Sequence, residues 1–98
     1  MQPGSNGWKY THLAGAGTTT VLNGVGATNG VPANTGILGG IEINTAGTTV
    51  TLYDSTTGSG SIIAVYGAVT GCFNLPKQLQ NGLTVVIAGS ADVTVCWQ

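Results

Sequence analysis

The chain has 98 residues, 42% of them hydrophobic and only 5% charged, with a formal net charge of -1 and no arginine. That length allows one domain with a two-layer core and no separate catalytic lobe, and the absence of clustered cations excludes a nucleic-acid partner, whose phosphates need Lys and Arg. A folded domain usually carries about 25% charged residues. With only Lys9, Lys77, Glu42, Asp54 and Asp92, this surface is either wetted by Thr, Ser, Asn and Gly or covered by other subunits, and we expect the second.

No apolar run reaches the roughly 18 residues that span a bilayer. The opening MQPGSNGWKY has neither the basic start nor the apolar centre of a signal peptide. Synthesis in the cytoplasm and no membrane partner are the expectations. Cys72 and Cys96 are too few for a disulfide framework and lack metal-ligand spacing; a cytosolic origin predicts them reduced.

Residues 1–7 are polar, carry Pro3, Gly4 and Gly7, and predict a flexible arm ahead of a single domain over residues 8–98. Trp8 to Leu13 alternates Trp8, Tyr10 and His12 with Lys9, Thr11 and Leu13, which predicts a strand. Thr18 to Leu22 follows a Gly15-Ala16-Gly17 break as a second, Thr-rich strand. Asn23 to Gly36 has no period, two Asn-Gly pairs and Pro32, and reads as one long loop. Its glycines lack the GKS or GKT ending and the following helix of a phosphate-binding loop.

From Ile41 to Tyr66 apolar residues fall on alternate positions: Ile41 and Ile43, Val50 and Leu52, Ile63 and Val65. We read three antiparallel strands, each burying one face, separated at Thr45-Ala46-Gly47 and at Thr56 to Gly60. Gly39 and Gly40 just before them suggest a bulge or a close backbone approach. Ala68 to Leu75 continues with Phe73 and Leu75 on one side and Cys72 and Asn74 on the other, and Pro76 is expected to end it. Pro76 to Gly82 is a polar link able to hold a single turn. Leu83 to Ala88 and Asp92 to Trp97 complete about eight short strands. No helical period survives, and the predicted fold is all-β: a small antiparallel β-sandwich of jelly-roll type.

Little in this pattern carries chemistry. His12 is the single base available to a Ser, Thr or Cys nucleophile, and nothing pairs it with Cys72 or Cys96. Glu42, Asp54 and Asp92 would have to converge for paired-carboxylate catalysis. Asp54 and Asp92 sit at strand ends, where a turn cap is the ordinary role and calcium the less ordinary one, without the D-x-D-x-D-G pattern. Trp8, Tyr10, Tyr53, Tyr66 and Trp97 suit either a sugar-stacking platform or core and interface anchors. By parity Trp97 points inward with Val93 and Val95, whereas Tyr53 points outward.

The order WKYTHL, GTTTVLNG, GILGGIEINTAGTTVTLYDSTTGSGSIIAVY and NGLTVVIAGSADVTVCWQ resembles small β-sandwich virion proteins of tailed bacteriophages over most of the chain. Its most specific pieces are Trp8-Lys9-Tyr10, the block from Ile41 to Asp54, and the closing Gly-Leu-Thr-Val-Val with its Asp-Val-Thr-Val strand. The resemblance implies a non-enzymatic capsid decoration (cement) or head-associated protein, commonly trimeric, made in the host cytoplasm and placed on the capsid surface against the major capsid protein. It implies no cofactor and supplies no catalytic residue. On this reading the outward row Thr49, Thr51 and Tyr53 is the expected subunit interface. Gln2 and Pro3 of the arm, with Asn29, Val31 and Pro32 of the long loop, are the expected capsid contacts. The alternative is a carbohydrate-binding or host-adhesion module on the head or tail, drawing on the aromatic residues.

Overall fold

Alternating apolar side chains separated by glycine-rich breaks produce eight strands in the computed structural model, which describes residues 8–25 and 36–98. They are β1 (Lys9–Ala14), β2 (Gly17–Leu22), β3 (Ile37–Thr45), β4 (Thr49–Asp54), β5 (Ser61–Tyr66), β6 (Gly71–Gln78), β7 (Leu83–Ala88) and β8 (Asp92–Trp97). There is no helix among the described residues. The arm and residues 26–35, and with them Gln2, Pro3, Asn29, Val31 and Pro32, lie outside the described residues.

Two four-stranded antiparallel sheets result, in the orders β1-β8-β3-β6 and β2-β7-β4-β5. The pairing is nested about the turn at residues 55–60: β4 pairs with β5, β3 with β6, β2 with β7 and β1 with β8. Every other connection carries the chain from one sheet to the other. The chain is thus one long hairpin rolled on itself, closed by the β3–β8 and β4–β7 ladders.

Between the sheets lies an apolar layer. Leu38, Ile41, Ile43, Val93 and Val95 come from the first sheet, and Leu22, Val50, Leu52, Leu83, Val85 and Ile87 from the second, all buried. Leu79 and Ala91 close it from the connections. Each Val, Leu and Ile of this layer contributes roughly 1.5–3 kcal/mol on burial. Leu38 and Ile41 are three apart yet both face inward, which strict alternation forbids. The register shift against β8 between Leu38 and Gly40 supplies the extra residue, Gly39.

The three strands read from Ile41 to Tyr66 are present as β3, β4 and β5, and they divide between the sheets: β3 belongs to the first and β4 and β5 to the second. The crossing at Ala46 to Thr48 is tight, with Thr48 N–H donating to Ala88 O at 2.9 Å and a Cβ on Gly47 coming within 2.9 Å of that same oxygen. Ile63 and Val65 do not share a face, because the β4–β5 register slips between Leu52 and Tyr53. Ile63 packs on the core, while Ile62 and Val65 point out and are 58% and 55% exposed. Pro76 does not end a strand: β6 runs on to Gln78. As an edge strand it tolerates a residue with no ladder donor, and Leu75-Pro76 form its bulged side opposite Gly39. The polar link is correspondingly shorter, and begins after Gln78.

Asp54 takes the turn-cap role. Its carboxylate accepts from the backbone N–H groups of Gln80, Asn81 and Gly82 at 2.8–3.3 Å, tying the β6–β7 turn to the end of β4. The β4–β5 loop then folds back across the outer side of the second sheet. Thr84 Oγ1 donates to Ser55 O at 2.9 Å and Thr20 Oγ1 to Thr56 O at 3.2 Å, so Thr84 is buried although it faces away from the core.

Candidate functional site

The outer side of the first sheet brings two aromatic residues together with both cysteines, the histidine and Glu42, because the inward positions of its strands are taken by the core. Register places Tyr10 beside Cys96, Cys96 beside Gly40 and Gly40 beside Asn74; one row along, His12, Thr94, Glu42 and Cys72 lie side by side. At Gly39 and Gly40 the first row loses its side chains. A Cβ on Gly40 would sit 2.6 Å from Phe73 O, and one on Gly39 would sit 2.7 Å from Trp8 Cζ3. Strand β6 and the Trp8 ring occupy the space that larger residues would need.

The outcome is a shallow hollow of about 440 Å³ above the glycines, lined by Trp8 and Tyr10 together with Thr94 of β8, Glu42 of β3 and Cys72 and Asn74 of β6. Its size falls within the range typical of ligand pockets, roughly 300–1,000 Å³. Tyr10 is 70% exposed.

Neither thiol at this hollow is an activated nucleophile. Cys72 donates to Glu42 Oε2 at 3.3 Å, and this hydrogen bond, with the repulsion of the carboxylate charge, pushes its pKa up. Burial raises that of Cys96, with a smaller opposing contribution from a hydrogen bond to Tyr10. Both remain thiols at neutral pH, when nucleophilic attack requires the thiolate. They also cannot pair with each other. Strand β3 stands between β6 and β8, and two strand spacings of about 4.8 Å exceed the roughly 7 Å over which a disulfide can bridge Cα atoms. Both are free.

His12 Nε2 is hydrogen-bonded to Asp92 Oδ1. Both side chains are well exposed, and a solvated pair of this kind holds a surface together only weakly. Asp54 lies on the opposite sheet from Glu42 and Asp92, so the three carboxylates do not converge. Among the described residues no three His, Cys, Asp or Glu side chains are grouped as a metal-ligand set.

The five aromatic residues of the predicted platform separate. Trp8 and Tyr10 flank the hollow. Tyr66 turns inward, its ring centroid 4.7 Å from that of Phe73. Trp97 packs against the core as its parity predicts, donating from Nε1 to Thr11 Oγ1 at 2.9 Å beneath the Lys9 ammonium. Tyr53 faces outward on the second sheet. There Thr51 lies opposite Val65 and Tyr53 opposite Ile62, so the predicted row Thr49, Thr51 and Tyr53 continues into two exposed apolar side chains, of which alternation had assigned Val65 to the core.

Compared with known protein families, characterised proteins and solved structures, the chain matches none of them. Its own residues and their arrangement therefore carry the functional reading. One consequence concerns the thiols. Cys72→Ser combined with Cys96→Ser is expected to fold like the parent and to keep its melting temperature under oxidising conditions. A loss of several degrees in the double variant would reveal a disulfide.

Proposed function

We propose that this chain is a non-enzymatic structural protein of a tailed-phage virion: a jelly-roll sandwich that decorates the outer surface of the head as a homotrimer and stabilises the shell. The nested, rolled-hairpin pairing is the winding that such double-sheet folds use. The virion role follows the resemblance of the sequence, and the observation that supports self-association is β5. Natural sheets guard their edges with charge, proline or cover: β1 has Lys9 and His12, β6 has Pro76 and Lys77, and β2 lies under the β4–β5 loop. Strand β5 reads Ser-Ile-Ile-Ala-Val-Tyr, has no charge, ends the second sheet, and presents Ile62 and Val65 to solvent beside Thr51 and Tyr53. Such a surface favours association with another copy over staying wet.

In a closed ring of three, each copy would set its β4–β5 face against a different surface of its neighbour. The ring then grips several shell subunits at once, so modest contacts at each copy combine and binding favours the assembled shell over its dissociated parts. Gln2, Pro3, Asn29, Val31 and Pro32 are the residues assigned to the major capsid protein. The host cytoplasm is the site of synthesis and the virion surface the destination.

Two measurements test this reading. Light scattering on the purified chain at tens of micromolar is expected to show a trimer, and Ile62→Lys with Val65→Lys a folded monomer. Electron microscopy of virions whose genome encodes the chain is expected to place hundreds of copies on the head. A monomeric parent chain, or a few copies at a tail tip, would overturn it.

A further inference from the structure

We propose that the hollow above Gly39 and Gly40 is a saccharide-binding site that takes one or two neutral pyranose units. It lies on the sheet opposite the proposed subunit interface and does not depend on it. Three features of different origin converge there. Two successive residues without side chains open a recess in the middle of a sheet face that would otherwise be flat, and the backbone of β6 and the ring of Trp8 fix its floor and side. Two aromatic residues stand on one side, Trp8 seated against Gly39 and Tyr10 largely exposed. The strands beside them add a hydroxyl, a carboxylate and an amide to the lining, those of Thr94 on β8, Glu42 on β3 and Asn74 on β6.

A pyranose ring matches this division of labour. One of its faces is lined with C–H groups and packs on an aromatic ring, while its rim of hydroxyls needs donors and acceptors at fixed positions. Thr94 and Asn74 each donate and accept, and Glu42 accepts only. Glu42 gives one oxygen to the Cys72 thiol, which holds the carboxylate at the rim and leaves its remaining acceptor capacity for a sugar hydroxyl. Among the described residues no Lys or Arg lines the hollow, and the Glu42 charge disfavours acidic sugars and phosphates. A wholly apolar ligand would leave these polar groups without water or partner, which costs binding. The ligand class left is neutral and hydroxyl-rich with one apolar face.

The test uses the full chain, isotopically labelled, titrated with the methyl glycosides of glucose, galactose, mannose and N-acetylglucosamine. Concentrations on the order of tens of millimolar register the millimolar affinities expected of single sugars. At least one glycoside is expected to shift the backbone resonances of Tyr10, Gly39, Gly40, Asn74 and Thr94 together. Tyr10→Ala and Asn74→Ala, each with an unchanged melting temperature, should weaken that binding about three- to tenfold or more. Tyr53→Ala, on the other sheet, should leave it intact. If no glycoside shifts these resonances, if the shifts map elsewhere, or if Tyr10→Ala and Asn74→Ala bind like the parent, the proposal is overturned.

Discussion

Leu52→Ala is expected to lower the unfolding free energy by about 2–5 kcal/mol, a large share of the roughly 5–15 kcal/mol that holds a domain together. Leu52 is fully buried at the middle of β4, flanked within its sheet by Val85 and Ala64. Its side chain points into the layer shared with the first sheet, so removing it leaves a void that ladders on both sides prevent from collapsing. For a domain of this size the melting temperature should fall by on the order of 10 °C or more. Ser61→Ala on the exposed edge strand is the matched control and should change stability by less than about 0.5 kcal/mol. Denaturant unfolding followed by circular dichroism measures both, and equal midpoints for the two variants would show that the centre of the core lies elsewhere.

The strands were readable because apolar side chains alternate along most of them, β4, β6, β7 and β8 throughout and β3 and β5 in part, and a period of two is visible in a sequence whatever the topology. Topology itself was not. Whether β3 pairs with β4 depends on how the chain passes Ala46 to Thr48, and a short glycine-containing break serves equally for a hairpin and for a crossing between sheets. The crossing is decided by distant residues: Ala88, Gly89 and Ala91, whose backbone and small side chains leave room for Gly47 to approach. The slip between Leu52 and Tyr53 is similar. Ile62, Ile63 and Val65 are all β-branched and apolar, and their sequence does not say which one the bulge turns outward.

The site divides in the same way. That Tyr10, His12, Cys72, Asn74, Thr94 and Cys96 lie on outer positions follows from parity, and the Gly39-Gly40 pair already marked a bulge or close approach. What joins them is register between β1, β8, β3 and β6, four strands drawn from both ends of the chain, and no local pattern encodes that order. The same non-local pairing separates Tyr53, Tyr66 and Trp97 from Trp8 and Tyr10. It also makes Thr84 a buried polar residue under a loop whose Thr and Ser content reads as solvent-exposed.

The two glycines beneath the hollow are expected to respond unequally to the same change, although they are neighbours. Gly40→Ala places a methyl group 2.6 Å from Phe73 O, and that oxygen belongs to the backbone of β6, where Gly40 is paired with Asn74. The ladder must open for the methyl group to fit, so the variant should lose about 1–3 kcal/mol, the usual cost of overpacking. Gly39→Ala meets Trp8 Cζ3 at 2.7 Å and Cη2 at 3.1 Å, both at the far end of a side chain that can swing away by rotating about its own bonds. Neither glycine has the left-handed backbone that would add strain. Gly39→Ala should therefore cost less than about 1 kcal/mol yet displace the Trp8 ring, changing its fluorescence and removing one side of the hollow. Paired denaturation and fluorescence measurements separate the two effects. Equal destabilisation by both substitutions, with Trp8 emission unchanged in Gly39→Ala, would mean that the ring does not rest on Gly39 and that the recess has a different shape.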